Sequence, residues 1–258
     1  MTFGSLFAGI GGFDLGLERA GMTCKWQVEI DPYAIRVLEK HWPNVRRWDD
    51  VRTFPPEGDW AVDLVCGGFP CQPISTAGRQ CGSNDERWLW PEFARILSVL
   101  RPRYALLENT PGLLVRGFDA VLGDLASLGY DAEWSIVSAC SMGAPHMRKR
   151  MFIIANSNPK RWSTLGQYTN ESYEVRVEWN GKANASLSEW GQVQRWIGET
   201  FHDGNWSPTE GIVRRMDDGV PYRVDRIRCL GNAVVPQVAE WIGRRIMEHV
   251  TFTPGILK

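Results

Sequence analysis

Ala61-Val62-Asp63-Leu64-Val65-Cys66 runs directly into Gly67-Gly68-Phe69-Pro70-Cys71-Gln72-Pro73-Ile74-Ser75. The first six residues are apolar enough to read as a buried strand. The Gly/Pro run that follows ends the strand and leaves Cys71 on a turn at a sheet edge, where a substrate can reach it. Outward from this point the chain alternates apolar runs with helix-like segments. Further strands are expected at Thr2–Phe7, Thr23–Glu29, Tyr104–Glu108, Glu133–Ala139 and Met151–Asn156. Helices are expected at Phe13–Ala20, Pro32–His41, Pro91–Leu100 and Phe118–Leu128. This βαβα rhythm predicts an α/β domain with a mainly parallel sheet. Ligands of such sheets bind beyond the carboxyl ends of the strands. Gly9, Glu29, Asp50, Cys71 and Glu108 all fall at or just past predicted strand ends.

The 258 residues allow one large domain, with or without a small second lobe. A formal net charge of −1 gives no global basic field, so a nucleic-acid partner would require locally gathered cations. The six cysteines form no Cys-x-x-Cys pair and no histidines stand at zinc-site spacing, so no metal site is expected. Free thiols in a reducing cytoplasm are the expectation for a chain of this size. Asp14 and Glu18 interrupt the apolar N-terminal residues, which argues against a signal peptide. No stretch is long and apolar enough to span a membrane.

Phe7-Ala8-Gly9-Ile10-Gly11-Gly12-Phe13 links the first strand to the first helix. Glycines there let the backbone turn tightly and approach a ligand, whose negative charge would meet the helix N-terminus. A strand–helix turn without any ligand would use the same residues. Glu29 comes one βα unit later, where a carboxylate can accept from ribose hydroxyls. Asp50 lies near the third strand, placed to accept from an adenine amino group. The spacing of these three features favours a nucleoside cofactor.

The ordered set of Phe-x-Gly-x-Gly-Gly, Pro70-Cys71, Glu108-Asn109-Thr110, His146-Met147-Arg148-Lys149-Arg150 and Leu230-Gly231-Asn232-Ala233-Val234 resembles the DNA (cytosine-5) methyltransferase family. The resemblance covers residues 3–156 and 222–250. It implies a Rossmann-like methyltransferase sheet and S-adenosyl-L-methionine as cofactor. Phe7, Gly9, Gly11, Gly12, Glu29, Asp50, Pro70, Asn232 and Ala233 would then line the cofactor site. Asp50 is preferred over Asp49 because the family places its Asp before an aliphatic residue, here Val51. Cys71 would be the nucleophile, adding to C6 of cytosine so that electron density rises on C5. Glu108 would protonate N3, Arg148 would meet the base near O2, and Arg150 would hold Glu108 or a phosphate. Ser75, Arg79 and Arg87, in the loop after the nucleophile, would contact DNA phosphates. The chain departs from the family pattern at Thr110, usually Val, at His146, usually Gln, and at Ala233, usually Ser.

Residues 157–221 break the rhythm. They are rich in Gly, Ser, Asn, Glu and Trp, and read either as a small separate lobe or as long surface loops. By position they correspond to the family's target-recognition region, flanked by a catalytic domain made of 1–156 and 222–258. Arg214 and Arg215 begin an arginine-rich stretch reaching Arg228, which reads as a phosphate-binding patch. Three interleaved aspartates also permit a mixed solvated face. After Asn232, an amphipathic helix from Val234 to Val250 is expected to return to the large domain.

The implied partner is double-stranded DNA, with the target cytosine out of the stack. The expected enzyme is monomeric, with a cognate restriction endonuclease as a further partner. Two rivals remain at this point. A tRNA-methylating relative would carry a Cys-Phe-Thr signature, which is missing. A catalytically silent binding module would have no need of Cys71, Glu108 and Arg148.

Overall fold

The computed structural model describes residues 1–70, 88–115, 117–144, 147–157 and 223–251. Seven strands form one sheet: β1 (Thr2–Leu6), β2 (Thr23–Val28), β3 (Arg46–Trp48), β4 (Leu64–Gly67), β5 (Tyr104–Asn109), β6 (Asp131–Ser138) and β7 (Lys149–Asn156). Their order is β3-β2-β1-β4-β5-β7-β6. Pairing is parallel from β3 through β5, while β7 runs antiparallel to both β5 and β6. The strand order reverses at β1, which pairs with β2 on one side and β4 on the other. That reversal opens a crevice at the carboxyl ends of the strands, the usual ligand position in open α/β sheets.

Helices cover both faces. On one, α3 (Trp90–Leu100) and α4 (Phe118–Ser127) bury Phe93, Ile96, Leu97, Val121 and Leu125 against Leu6, Val65, Leu107 and Ile153. On the other, α1 (Gly12–Arg19) and the last helix, α6 (Pro236–Thr251), bury Phe13, Leu17, Val238 and Ile242 against Phe3, Leu64, Leu106 and Ile154. A side chain at Gly12 would place its Cβ 2.3 Å from the Val234 carbonyl oxygen. Glycine at that position is what lets the returning chain lie against the start of α1. Two further helices matter for the site: α2 (Pro32–His41) and α5 (Arg223–Asn232). Asp31 caps α2 by accepting from the Tyr33 and Ala34 amides, with Pro32 in the first turn.

The expected elements form, with shifted ends. The strand expected from Ala61 begins at Leu64, because Asp63 turns its carboxylate to the Thr2 amide and hydroxyl. The C-terminal helix starts at Pro236 rather than Val234, since a residue before proline disfavours helical geometry. β3 was not among the expected strands: it has three residues, two of them arginines, and lies at the sheet edge. α5 was not expected either, being largely polar with weak apolar periodicity. The 157–221 tract, apart from Ser157, lies outside the described residues.

Candidate active site

Glu108 is the penultimate residue of β5, paired in register with Phe152 of the antiparallel β7. Arg150 sits two residues before Phe152, so strand alternation directs it to the face that Glu108 uses, and Arg148 lies immediately before the first residue of β7. Arg150 Nε lies 2.9 Å from Glu108 Oε1. The two groups form an ion pair, and Arg150 is the partner of Oε1 among the described residues. Burial raises the Glu108 pKa above its ordinary value, with Arg150 and then Arg148 opposing. The carboxyl therefore retains its proton to higher pH than an exposed glutamate. Arg148 donates from Nη1 to the Gly231 carbonyl at the end of α5, while its buried Nε has no partner among the described residues. An acceptor engaged by Arg150 alone and an unpartnered donor on Arg148 thus stand at the same buried corner. A planar ring with its own donors and acceptors would satisfy both.

The strand turn after β4 meets this corner from the side. Glu108 Oε2 lies where a Cβ on Gly68 would stand, 2.7 Å away. Asn109, also buried, donates from Nδ2 to the Phe69 carbonyl at 3.2 Å and accepts from the Thr110 amide at 2.8 Å. Asn109 thereby ties the end of β5 to the turn that leads through Pro70 to Cys71. Pro70 is the last described residue of that turn. Cys71, Ser75, Arg79, Arg87, Arg214, Arg215 and His146 lie outside the described residues. Cys66, one strand position behind the turn, is fully buried, and burial pushes its thiol well above the ordinary range.

A second cluster gathers at the switch point. Phe7 has φ 53°, a left-handed conformation seldom adopted outside glycine, and it stacks on Phe93 at 6.5 Å. Gly9 and Gly11 are left-handed as well. A Cβ on Gly9 would meet no atom within 4 Å, so the space above this loop is open. The Gly9 amide donates to Glu29 Oε2 at 2.7 Å and the Asp31 amide to Oε1 at 2.8 Å. Each carboxylate oxygen keeps acceptor capacity beyond these bonds. The Glu29 amide in turn donates to the Trp48 carbonyl, which brings the end of β3 to the same sheet edge. Two residues on, Asp50 binds Arg52 at 3.0 Å, and this contact lowers its pKa. Asp49, rather than Asp50, lines with Glu29 a cleft of about 530 Å³ between β2, α2 and β3. Asn232 ends α5 exposed, and the Ala233 amide donates to the Cys229 carbonyl. Val234 then reaches Gly12, closing the C-terminal segment onto the glycine loop.

Three features went unread in the sequence. Nothing in the sequence separates Gly68 from the rest of the Gly/Pro run, or Asn109 from the motif around Glu108. Asp14, on the buried face of α1, accepts from Ser5, Cys24 and Gln27; its one signal was an acid between the apolar residues Phe13 and Leu17. Arg228, read as part of a phosphate patch, instead lies 2.6 Å from Asp31 and 3.2 Å from Asp225. Among the described residues no group of His, Cys, Asp or Glu could hold a metal, and no helix is long and apolar enough to cross a membrane.

The sheet order, the glycine loop at its switch point and the acid just past β2 define a Rossmann-like α/β fold with a ligand position at the carboxyl ends of its strands. Residues 1–213 match the family of C-5 cytosine-specific DNA methylases. The type II methyltransferase M.NgoMIV of Neisseria gonorrhoeae is 31% identical over 312 residues, covering 96% of this chain and 98% of that protein. M.NaeI of Lentzea aerocolonigenes is 30% identical over 300 residues, covering 93% and 73%. A solved E. coli prophage protein, assigned as a DNA modification methyltransferase, superposes with a TM-score of 0.65 over 97% of this chain and 99% of that one; at 21% identity it speaks for the fold. The chain belongs to the C-5 cytosine-specific DNA methylase family. It is an enzyme that transfers a methyl group from S-adenosyl-L-methionine to C5 of cytosine in DNA.

Proposed function

We propose that the corner formed by Glu108, Arg148 and Arg150 receives a cytosine turned out of a specific duplex sequence, with Cys71 as its nucleophile. The observation that carries this reading is the buried carboxyl of Glu108, held by Arg150 beside the turn that leads to Cys71. Cys71 Sγ forms a bond to C6, and the displaced electron pair moves through the ring toward N3. Glu108, still carrying its proton, gives it to N3 and leaves C5 electron-rich. Arg148 meets the ring near O2. Arg150 orients Glu108, and its positive charge stabilises the carboxylate once the proton has left. When bound, S-adenosyl-L-methionine supplies the electrophilic methyl group for C5. A base from solvent then takes the C5 proton, the C6–S bond breaks to release the thiolate, and N3 returns its proton to the Glu108 carboxylate, which restores the aromatic ring.

The open space over Gly9 and the spare acceptor capacity of Glu29 fit such a cofactor. In this reading Phe7, Gly9, Gly11, Gly12, Asp50, Pro70, Asn232 and Ala233 surround it, and Glu29 takes the ribose hydroxyls. Residues 157–221 form the target-recognition lobe beside a catalytic domain of 1–156 and 222–258. Ser75, Arg79, Arg87, Arg214 and Arg215 hold phosphates. The enzyme works as a cytoplasmic monomer beside a cognate restriction endonuclease, the type II names of its relatives being the support for that partner.

A duplex containing 5-fluorocytosine tests the chemistry, because fluorine cannot leave C5 as a proton does. Wild-type enzyme with cofactor should form a denaturation-stable adduct whose peptide map ends at Cys71, and Cys71→Ser should form none. An adduct on Cys66 or Cys81 would overturn the assignment.

A further inference from the structure

Arg228 stands out because neither the base pocket nor a phosphate contact accounts for its geometry. Its guanidinium donates to Asp31 Oδ2 at 2.6 Å and to Asp225 Oδ1 at 3.2 Å. Asp225 is a neighbour three residues away on α5, but Asp31 lies 197 residues away in sequence. Asp31 is also the residue whose amide holds Glu29 Oε1, while its Oδ1 caps α2. A continuous chain of contacts therefore runs from α5 through Arg228 and Asp31 to the Glu29 carboxylate, and on to the Gly9 amide. At the far end of the same helix, the Gly231 carbonyl accepts from Arg148. One ten-residue helix thus grips the turn that carries Glu29 and the arginine beside Glu108.

We propose that Arg228 is a positioning residue: through Asp31 it fixes the turn bearing Glu29, and α5 thereby couples cofactor binding to the base pocket at Arg148. The proposal rests on the reading of Glu29 as the ribose acceptor and Arg148 as a base contact. Its physical content is a shared restraint. Cofactor seated on Glu29 holds Asp31, Asp31 holds Arg228, and α5 then presents Gly231 to Arg148 in one position. By linkage, DNA held at Arg148 must strengthen cofactor binding by the same factor.

Calorimetry with S-adenosyl-L-methionine on the full chain tests this in wild type, Arg228→Gln, Asp31→Asn and the double variant. Asparagine keeps the helix cap, so Asp31→Asn removes the ion pair with the cap intact. Each single variant should weaken cofactor binding about two- to fivefold, the range for a partly exposed ion pair. The double variant should be no weaker than either single one, because both remove the same contact. In methyl-transfer assays, KM for the cofactor should rise while kcat at saturating cofactor stays within about twofold of wild type. A duplex carrying the sequence identified by bisulfite sequencing gives the coupling factor. The gain in DNA affinity on adding S-adenosylhomocysteine should shrink toward one in both single variants, and Arg228→Lys should restore part of it. Unchanged cofactor affinity, or losses that add in the double variant, would overturn the proposal. So would a reduced salt slope for DNA binding with cofactor affinity intact, which would make Arg228 a phosphate contact. A wild-type protein that binds no cofactor would instead sink the reading of Glu29.

Discussion

Replacing Gly68 with alanine isolates the role of the Glu108 carboxyl. Gly68 is not in a left-handed conformation, so the backbone itself would accept an alanine. The obstacle is Glu108 Oε2, 2.7 Å from the position of the new Cβ, where ordinary contact begins at 3.4 Å. The carboxylate must therefore retreat by about 0.7 Å, the difference between those two distances. It cannot do so freely, because Oε1 is held by Arg150 at 2.9 Å and the side chain is buried. The alternatives are an off-rotamer glutamate, costing about 0.5–1.5 kcal/mol, or a shifted β4 turn, with a cost of about 1–3 kcal/mol typical of overpacking. Misplacing a reacting group by something under 1 Å lowers a rate by roughly 10- to 100-fold. Gly68→Ala should therefore fold, melt a few degrees lower, and lose about 10- to 100-fold in kcat with KM for the cofactor near wild type. The assay is transfer of a tritiated methyl group to unmethylated DNA, alongside thermal melting. Wild-type kcat in a folded Gly68→Ala protein would refute the claim that Glu108 acts from its observed position. A raised cofactor KM with normal kcat would move the role of Gly68 to the other cluster.

Glu108 and Asp14 make separate, pH-dependent predictions. Burial raises the Glu108 pKa, so its acid form is lost, and kcat falls, as pH rises through that raised value. Glu108→Gln should lower kcat by about 10²- to 10⁴-fold and abolish that basic limb; an unchanged limb in the variant would assign it to another group. Asp14 is fully buried and its pKa is raised by burial, against hydrogen bonds from Gln27, Cys24 and Ser5. The sign follows from linkage: a raised folded pKa gives stability that is complete below the ordinary carboxylate range and is lost as pH rises through the folded value. Asp14→Asn keeps an acceptor for Gln27 and Cys24 without a titrating proton. Its melting temperature should therefore gain on wild type as pH rises through that window, and a difference constant with pH would contradict the reasoning.

The fold was legible in the sequence because its strands are apolar and its turns are marked by glycine and proline. What escaped has a physical reason in each case. Arg46-Arg47-Trp48 forms an edge strand, whose polar residues carry no buried-face pattern. Arg223–Asn232 is helical although its residues give little apolar periodicity, and it is tied down by Arg228 and the Gly231 carbonyl. The candidate site residues came from motifs and the family resemblance, which carry no distances. The family resemblance implied that Arg150 holds Glu108 or a phosphate; the antiparallel register of β5 and β7 makes Arg150 and Glu108 diagonal neighbours. No spacing rule could show that Gly68 is small because Glu108 occupies the space beside it.

The antiparallel β7 also explains why an Arg-x-Arg pattern serves this chemistry. In a strand, alternate side chains share a face, so Arg150 reaches the side where Glu108 emerges from β5, while Arg148, just before β7, is held by the Gly231 carbonyl. A parallel neighbour would need a long crossover to deliver the same pair; the antiparallel return brings them back along the strand that ends on the acid. The cofactor cluster follows β1 and the acid ends β5, with β4 and its Gly68-to-Pro70 turn between them. A methyl donor held over the β1 loop and a base held at the end of β5 would therefore both border the turn from which Cys71 is presented. Asn109 makes that arrangement rigid on one side, binding the Phe69 carbonyl across from β5. Arg228 pairs with Asp31 in the turn that follows β2, the contact proposed above to fix that turn. Asn109 of β5 thus holds a backbone carbonyl and Arg228 of α5 holds a carboxylate, and neither contact is to a reacting atom.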